Sequence, residues 1–397
     1  MGRKRRRIKK KNTFIFILIV LVIVVSIFVF LKMNNDKNLE LKRNKLEQDI
    51  VKHYNEFVIT KRDADIYKLN GDNYTKVGLV GKGQELSLVK KDITYEDEYL
   101  KIDGFDNGYY IYYKDLEKID KLSLSDDRYK NYIVFNKNVV TKDSTSFYDS
   151  DGKIVYQVPE EVNLPIIINK KDMYGVLYNG KLLYVKGDNV SVKDNKNTDS
   201  VNTKGIAVLN YHFFYDASLA SERSDCNQVI CLSTDNLKKH LNYIKDNNIF
   251  TPTMEELEMY IDGYIQLPKS VVLTIDDGWR ADIGSNIMAE YELNGTVFLT
   301  TLGHDPGAYK NEYIETHSHG HDIHKQGVCS GGQGGGIKCL DKAILLDDLG
   351  KSREKLFNTT VFCYPFYEYN NYSIEVLKES GYTMAFAGEF GNSDNLV

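Results

Sequence analysis

The sequence lacks the signatures of several hydrolase classes. It has no HExxH helix of the zinc-protease kind, no glycine loop of the kind that cradles phosphate, and no CxxC pair for a cysteine-built zinc site. These absences argue against a metalloprotease, a phosphohydrolase and a structural zinc module. Tryptophan is nearly missing, with one against 29 tyrosines in 397 residues. That usage suits β-structure and carbohydrate-facing surfaces but proves neither. Net positive charge is confined to the start of the chain. The formal charge is −5, and removing the eight Lys/Arg of the first twelve residues leaves −13. A body that acidic is a poor nucleic-acid binder, so no nucleic-acid partner is expected.

What is present begins with those eight charges. The basic segment 1–12 is followed by FIFILIVLVIVVSIFVFL, eighteen residues without a charge. The run is long enough to span a hydrocarbon core as a helix, and it shows none of the polar periodicity of a buried core helix. It ends in FVFLKMNND, with no small-x-small cleavage site, which favours an uncleaved anchor over a signal peptide. The expectation is a transmembrane anchor over 13–32, residues 1–12 in the cytoplasm, and the rest of a single-pass cell-membrane protein outside. Residues 33–56 are highly charged, with sparse apolar residues at helical spacing, and read as a helical spacer.

Beyond the spacer the pattern becomes β-like. Short runs rich in Val, Ile and Tyr, punctuated by Gly, Asp and Asn, cover 57–122 and again 128–192. DADIYKLNGDNYTKVG and STSFYDSDGKIVYQV share a tyrosine, a Gly/Asp turn and a strand-like run, a weak repeat of two β-modules. Their patterning loosely resembles bacterial SH3-type modules, which implies either cell-wall holding or mere spacing. A polar stretch, 193–203, reads as a linker. From 204 to 397 strands alternate with helices, among them GIAVLNYH, a capped helix from Ser233 or Thr234, SVVLTIDDG, TVFLTT and TTVFCYPF. That alternation predicts a parallel α/β sheet or barrel.

Two stretches carry chemistry. VVLTIDDG is an apolar run ending in two carboxylates, and in a parallel strand that end opens on the active face. Consecutive strand side chains point apart, so Asp276 and Asp277 are expected to divide the work, one on a metal and one on protons. HSHGHDIH holds four of the eight histidines. His317 and His321 are four apart, one face of a helix, and Gly320 also permits a loop that gathers them. A catalytic zinc takes three N/O ligands plus water, a count met by two histidines and one carboxylate. The cysteines fall as close pairs, Cys226/Cys231 and Cys329/Cys339, with Cys363 apart. Outside the cell such pairs suggest local disulfides, though four cysteines allow three pairings. A disulfide closing the glycine-rich CSGGQGGGIKC is expected.

Taken together, LTIDDG, HSHGH and FCYPFYEYN resemble the first three motifs of the polysaccharide deacetylases with NodB homology (carbohydrate esterase family 4), and IAVLNYH resembles that family's opening strand. The resemblance covers about 204–397. It implies a distorted (β/α) barrel and a divalent metal, with zinc favoured. It also implies hydrolysis of N-acetyl groups on an N-acetylated polysaccharide, with cell-envelope peptidoglycan as the expected glycan. Carried over, it assigns Asp277, His317 and His321 to the metal, Asp276 to the base, and the backbone N–H of Phe366 to the oxyanion, and it leaves His319 and His324 in supporting or surface roles. Two departures stand out. Cys363 occupies the place of an arginine that orients the base in many members, and the late leucine-leucine-histidine motif that supplies the acid is missing, for which His212 is the expected substitute. A catalytically degenerate wall-binding protein is the alternative those departures imply.

Overall fold

A computed structural model describes residues 2–53, 56–89, 98–103, 108–123, 127–142, 144–159, 161–170, 172–196, 205–225, 230–309 and 311–388. The chain divides into two compact units, one of Met1–Ser125, Val140–Asn163 and Leu177–Ser191, the other of Asp126–Val139, Leu164–Val176 and Val192–Val397. Most of the expected linker, residues 197–203, lies outside the described residues.

The first unit opens with a helix, Gly2–His53. Its segment from Phe14 is long and apolar enough to cross a membrane, with none of its most apolar window buried. At the far end Ile50 is fully buried and Asp49 accepts a hydrogen bond from the Tyr113 hydroxyl at 2.8 Å. Antiparallel sheet dominates the other described residues of this unit. Ala64–Asn70 and Asn73–Val80 form a hairpin whose two-residue turn places Gly71 at φ 61°, the positive value such turns require. The second arm of the sequence repeat is also a hairpin, Thr145–Tyr148 with Ile154–Val158. The two do not form separate modules. Tyr156 pairs with Val80, so both hairpins lie in one sheet.

The second unit is built on a six-stranded sheet, whose strands are numbered here β1 (Ala207–Tyr211), β2 (Val271–Ile275), β3 (Gly295–Leu299), β4 (Ile314–Ser318), β5 (Val361–Cys363) and β6 (Met384–Phe386). Their spatial order is their sequence order, and every neighbouring pair is parallel. No pairing of β1 with β6 closes it among the described residues, so the barrel expected from sequence is here a parallel half-barrel. β2 and β3 are buried at every position, which explains their unbroken apolar runs. Between strands run α1 (Thr234–Asp246), α2 (Met254–Ile261), α3 (Ala281–Glu290), α4 (Lys342–Lys355) and α5 (Asn371–Glu379). Ser233 caps α1 by accepting from Asn236 N, and Leu237, Leu241 and Ile244 bury its inner stripe. Thr253 and Glu256 form a capping box on α2. Glu256 also binds Arg128 and accepts from the Tyr132 hydroxyl. Part of the run expected as the second β-module therefore packs with this unit.

Strand β4 is absent from the sequence reading, which took THSHGHDIH for helix or loop. It pairs with β3 from Ile314 to Ser318. In a parallel sheet all C-terminal ends share one edge, and here that edge carries His212, Asp276, His319 and the residues after Cys363.

Candidate active site

The turn after β2 presents the two aspartates. Asp276 continues the strand, its N–H donating to Tyr211 O at 2.9 Å. It is 1% exposed, its Oδ2 accepts from the Cys363 thiol at 3.4 Å, and its Oδ1 is buried without a partner. Cys363 thus touches the very carboxylate that the absent arginine was expected to orient. The backbone then reverses through Asp277 and Gly278, at φ 71° and 91°. A side chain at Gly278 would stand 2.8 Å from Leu299 Cδ2 and 2.9 Å from His304 Cγ. The Tyr309 hydroxyl donates to Gly278 O and the Thr300 hydroxyl to Asp277 O, at 2.7 and 3.0 Å. A non-glycine residue held at such a φ costs about 1–3 kcal/mol, and these bonds fix the Asp277 carboxylate in place.

The histidines that meet Asp277 are His319 and His324. Their Nε2 atoms lie 3.3 and 3.1 Å from the same oxygen, Asp277 Oδ1. The expected ligands His317 and His321 are elsewhere. His317 lies two residues before His319 on β4, so it shares the face but sits about 6.6 Å deeper. There its Nδ1 meets Thr359 Oγ1 at 2.6 Å. Beyond the strand the chain turns at Gly320, φ 88°, where a Cβ would lie 2.6 Å from Ile323. This turn sends the His321 ring to Thr301 Oγ1, at 3.0 Å. It then returns the chain so that His324, five residues after His319, faces Asp277. The four-residue spacing that implicated His317 and His321 belongs to a helix, and the segment is a strand end plus a turn. Asp348 of α4 secures that turn by accepting from the N–H groups of His321 and Asp322, at 2.8 and 2.7 Å.

This group fits a cation. The Nδ1–H of His319 is spent on Cys363 O at 2.8 Å, so Nε2 faces Asp277 and offers a lone pair once its proton leaves. Asp277 Oδ1, a buried atom, thus faces two imidazole nitrogens at ion-pair distance. Two ligands 2.0–2.1 Å from a tetrahedral centre stand about 3.3–3.4 Å apart, close to the separations found. Asp277, His319 and His324 offer ligand atoms all within 4.8 Å of one another, as do Asp276, His319 and Cys363. Of these the first set suits a divalent metal better, because burial and Asp276 push the Cys363 thiol well up and keep it protonated. Burial alone would raise the Asp277 carboxyl, but the two imidazoles outweigh it and hold Asp277 well below the usual carboxylate range. Burial pulls the other way on His319, yet Asp277 and Asp276 raise its affinity for a proton. A cation bound there takes that proton's place.

The remaining expected residues adjoin this group. Phe366 lies just past β5 at φ 60°, its ring centroid 4.4 Å from that of His324. His212 Nε2 is 3.1 Å from the hydroxyl of Tyr367. Sequence reasoning passed over Tyr367 and Glu368, whose only signal was their place in the third motif. Glu368 accepts from Gln333 N and from Gly335 N, the latter at 2.8 Å, and pairs with Lys338 at 2.8 Å. It thereby ties the loop closed by the Cys329–Cys339 disulfide to the turn after β5. That disulfide is the one expected. Cys231 is also disulfide-bonded, while Cys226 lies outside the described residues.

Residues 265–385 match the polysaccharide deacetylase family model. The chain therefore carries a polysaccharide deacetylase domain, a hydrolase of carbon–nitrogen bonds. Similar solved structures include a de-N-acetylase from Aggregatibacter actinomycetemcomitans, 19% identical over 47% of this chain and 91% of its own, with a TM-score of 0.39. IcaB from Ammonifex degensii is 18% identical over 48% and 84%, TM-score 0.39. The Streptococcus pyogenes deacetylase PplD, solved with acetate, is 19% identical over 45% and 80%, TM-score 0.36. No curated protein matches the chain.

Proposed function

We propose that this chain is a membrane-anchored, metal-dependent N-deacetylase of cell-envelope glycan, releasing acetate from N-acetylglucosamine units, with peptidoglycan as the substrate. The observation that carries the reading is the convergence of two imidazole Nε2 atoms on one buried carboxylate oxygen, 3.1 and 3.3 Å away. Beside it stands a second buried carboxylate, Asp276, with an orphaned oxygen. Asp277, His319 and His324 hold the metal, and zinc suits their N/O donor set. A divalent cation there supplies Lewis acidity toward the acetamide carbonyl and makes a nearby water more acidic.

The other roles belong to the chain itself. Asp276 accepts a proton from the attacking water on its free Oδ1, while the Cys363 thiol holds Oδ2. The Phe366 N–H, on the residue whose ring packs against His324, steadies the oxyanion. His212 protonates the leaving amine. The apolar stretch from Phe14 anchors the protein, and the basic residues before it keep the N-terminus inside, so that the deacetylase domain faces the envelope. The β-rich unit acts as a spacer or glycan-holding module.

The test is acetate release from peptidoglycan and from chitin-type oligomers by the full chain in detergent. Release that stops with chelator, returns with zinc, and falls at least about 100-fold in Asp276→Asn supports the proposal. Full release by that variant, or none with any metal, contradicts it. Glycan binding without turnover selects the degenerate wall-binding reading instead.

A further inference from the structure

Tyr367 is not needed for the metal group, yet it is built into the site with unusual care. It and Phe366 are consecutive non-glycine residues in the left-handed region, at φ 58° and 60°. Such strain persists where the surroundings over-determine it. The ring is half-buried, and its hydroxyl meets Asn210 Oδ1 at 2.9 Å and His212 Nε2 at 3.1 Å, with the Asp276 carboxylate also within hydrogen-bonding range.

A phenol has one proton to give. Asn210 donates its own Nδ2 to Thr274 Oγ1 at 2.9 Å, which turns Oδ1 toward Tyr367 as an acceptor. Whether the phenolic proton goes to Asn210 or to Asp276, it is not available to His212. The short contact with His212 must then be made by the imidazole, as Nε2–H donating to the phenolic oxygen. Burial, then the charge of Asp276, holds the phenol above its ordinary range, so it remains neutral.

We propose that Tyr367 is a positioning residue for this domain's deacetylation step. Its hydroxyl oxygen captures the Nε2–H of His212, fixes that protonation pattern, and keeps the proton beside Asp276 until the leaving amine takes it. This rests on the deacetylase reading above. In the step the C–N bond breaks and its electron pair stays on nitrogen. The Nε2 proton of the His212 imidazolium moves to that nitrogen, the ring is left neutral, and solvent restores the proton.

The experiment compares two substrates, an N-acetylglucosamine oligomer and 4-nitrophenyl acetate. The ester's leaving group departs without protonation, so it reports on the metal group and Asp276 alone. Tyr367→Phe is expected to lower kcat for the oligomer about 10- to 100-fold with KM within about two-fold. Ester turnover falls less than about three-fold, and bound zinc is unchanged. Asn210→Ala gives the same selective loss in weaker form, and Tyr367→Phe adds nothing to His212→Ala. Equal losses on both substrates, undiminished oligomer turnover, or full additivity with His212→Ala would overturn the proposal. A wild-type protein that cleaves the ester but no N-acetyl glycan would instead defeat the deacetylase reading, and that shows before any variant is made.

Discussion

At the scale of single residues, the proposed metal site sets a proton on His319 against a cation. His319 is fully enclosed, and Asp277 and Asp276 raise its proton affinity above the ordinary value of 6.5. Without metal, a raised folded-state pKa contributes stability that is fully present below about pH 6.5 and is lost as pH rises through the raised value. With metal the sign reverses, because each proton bound to His319 must leave before the cation enters. The metal-free protein should therefore show a Tm that falls as pH rises above about 6.5, and zinc should remove that fall. Zinc affinity, followed by calorimetry, should weaken as pH drops and start to do so above pH 6.5. A Tm that rises with pH in the metal-free protein would contradict the assignment. The place of the two aspartates at a strand end was legible in sequence, because a buried apolar run closing in DDG leaves few places for two carboxylates. His319 and His324, and not the expected His317 and His321, face Asp277 because the backbone carrying them is a strand end plus a turn.

At the scale of elements, the turn after β4 decides which imidazoles face Asp277. Gly320 supplies the reversal, and Asp348 of α4 holds it through two backbone N–H groups. Asp348 is buried, so replacing it by alanine strands both donors. The expected cost is about 1–3 kcal/mol for each group left unsatisfied, seen as a lower Tm, together with weaker zinc binding although no ligand is touched. An Asp348→Ala protein with unchanged zinc affinity would show that the turn is set by other contacts. Strand β4 escaped sequence reading for a physical reason. Its residues Glu315 and His317 are polar and only half-buried, and Ser318 is fully buried against Ser352. IETHS therefore has neither the apolar run of β2 nor clean alternation. Helices α1 and α2 were legible because their caps and apolar stripes are local, whereas the pairing of the two distant hairpins in one sheet leaves no mark on either.

At the scale of the whole molecule, the chain joins an apolar N-terminal helix, a β-rich unit and a parallel half-barrel with one active edge. The interleaving of the units is what sequence could not supply, since Arg128 and Tyr132 sit in a β-like run but bond to Glu256 in the second unit. The edge gathers residues from strands far apart in sequence, with Asp277 after β2 and His319 and His324 after β4. We propose that these three residues hold the metal. The direct measurement is the zinc content of the purified full chain and four single alanine variants, by mass spectrometry after dialysis against trace zinc. The account predicts close to one zinc per chain for wild type, His317→Ala and His321→Ala, and a loss of most zinc in His319→Ala and His324→Ala. Zinc retained by the last two, or lost with His317 and His321 instead, would contradict it.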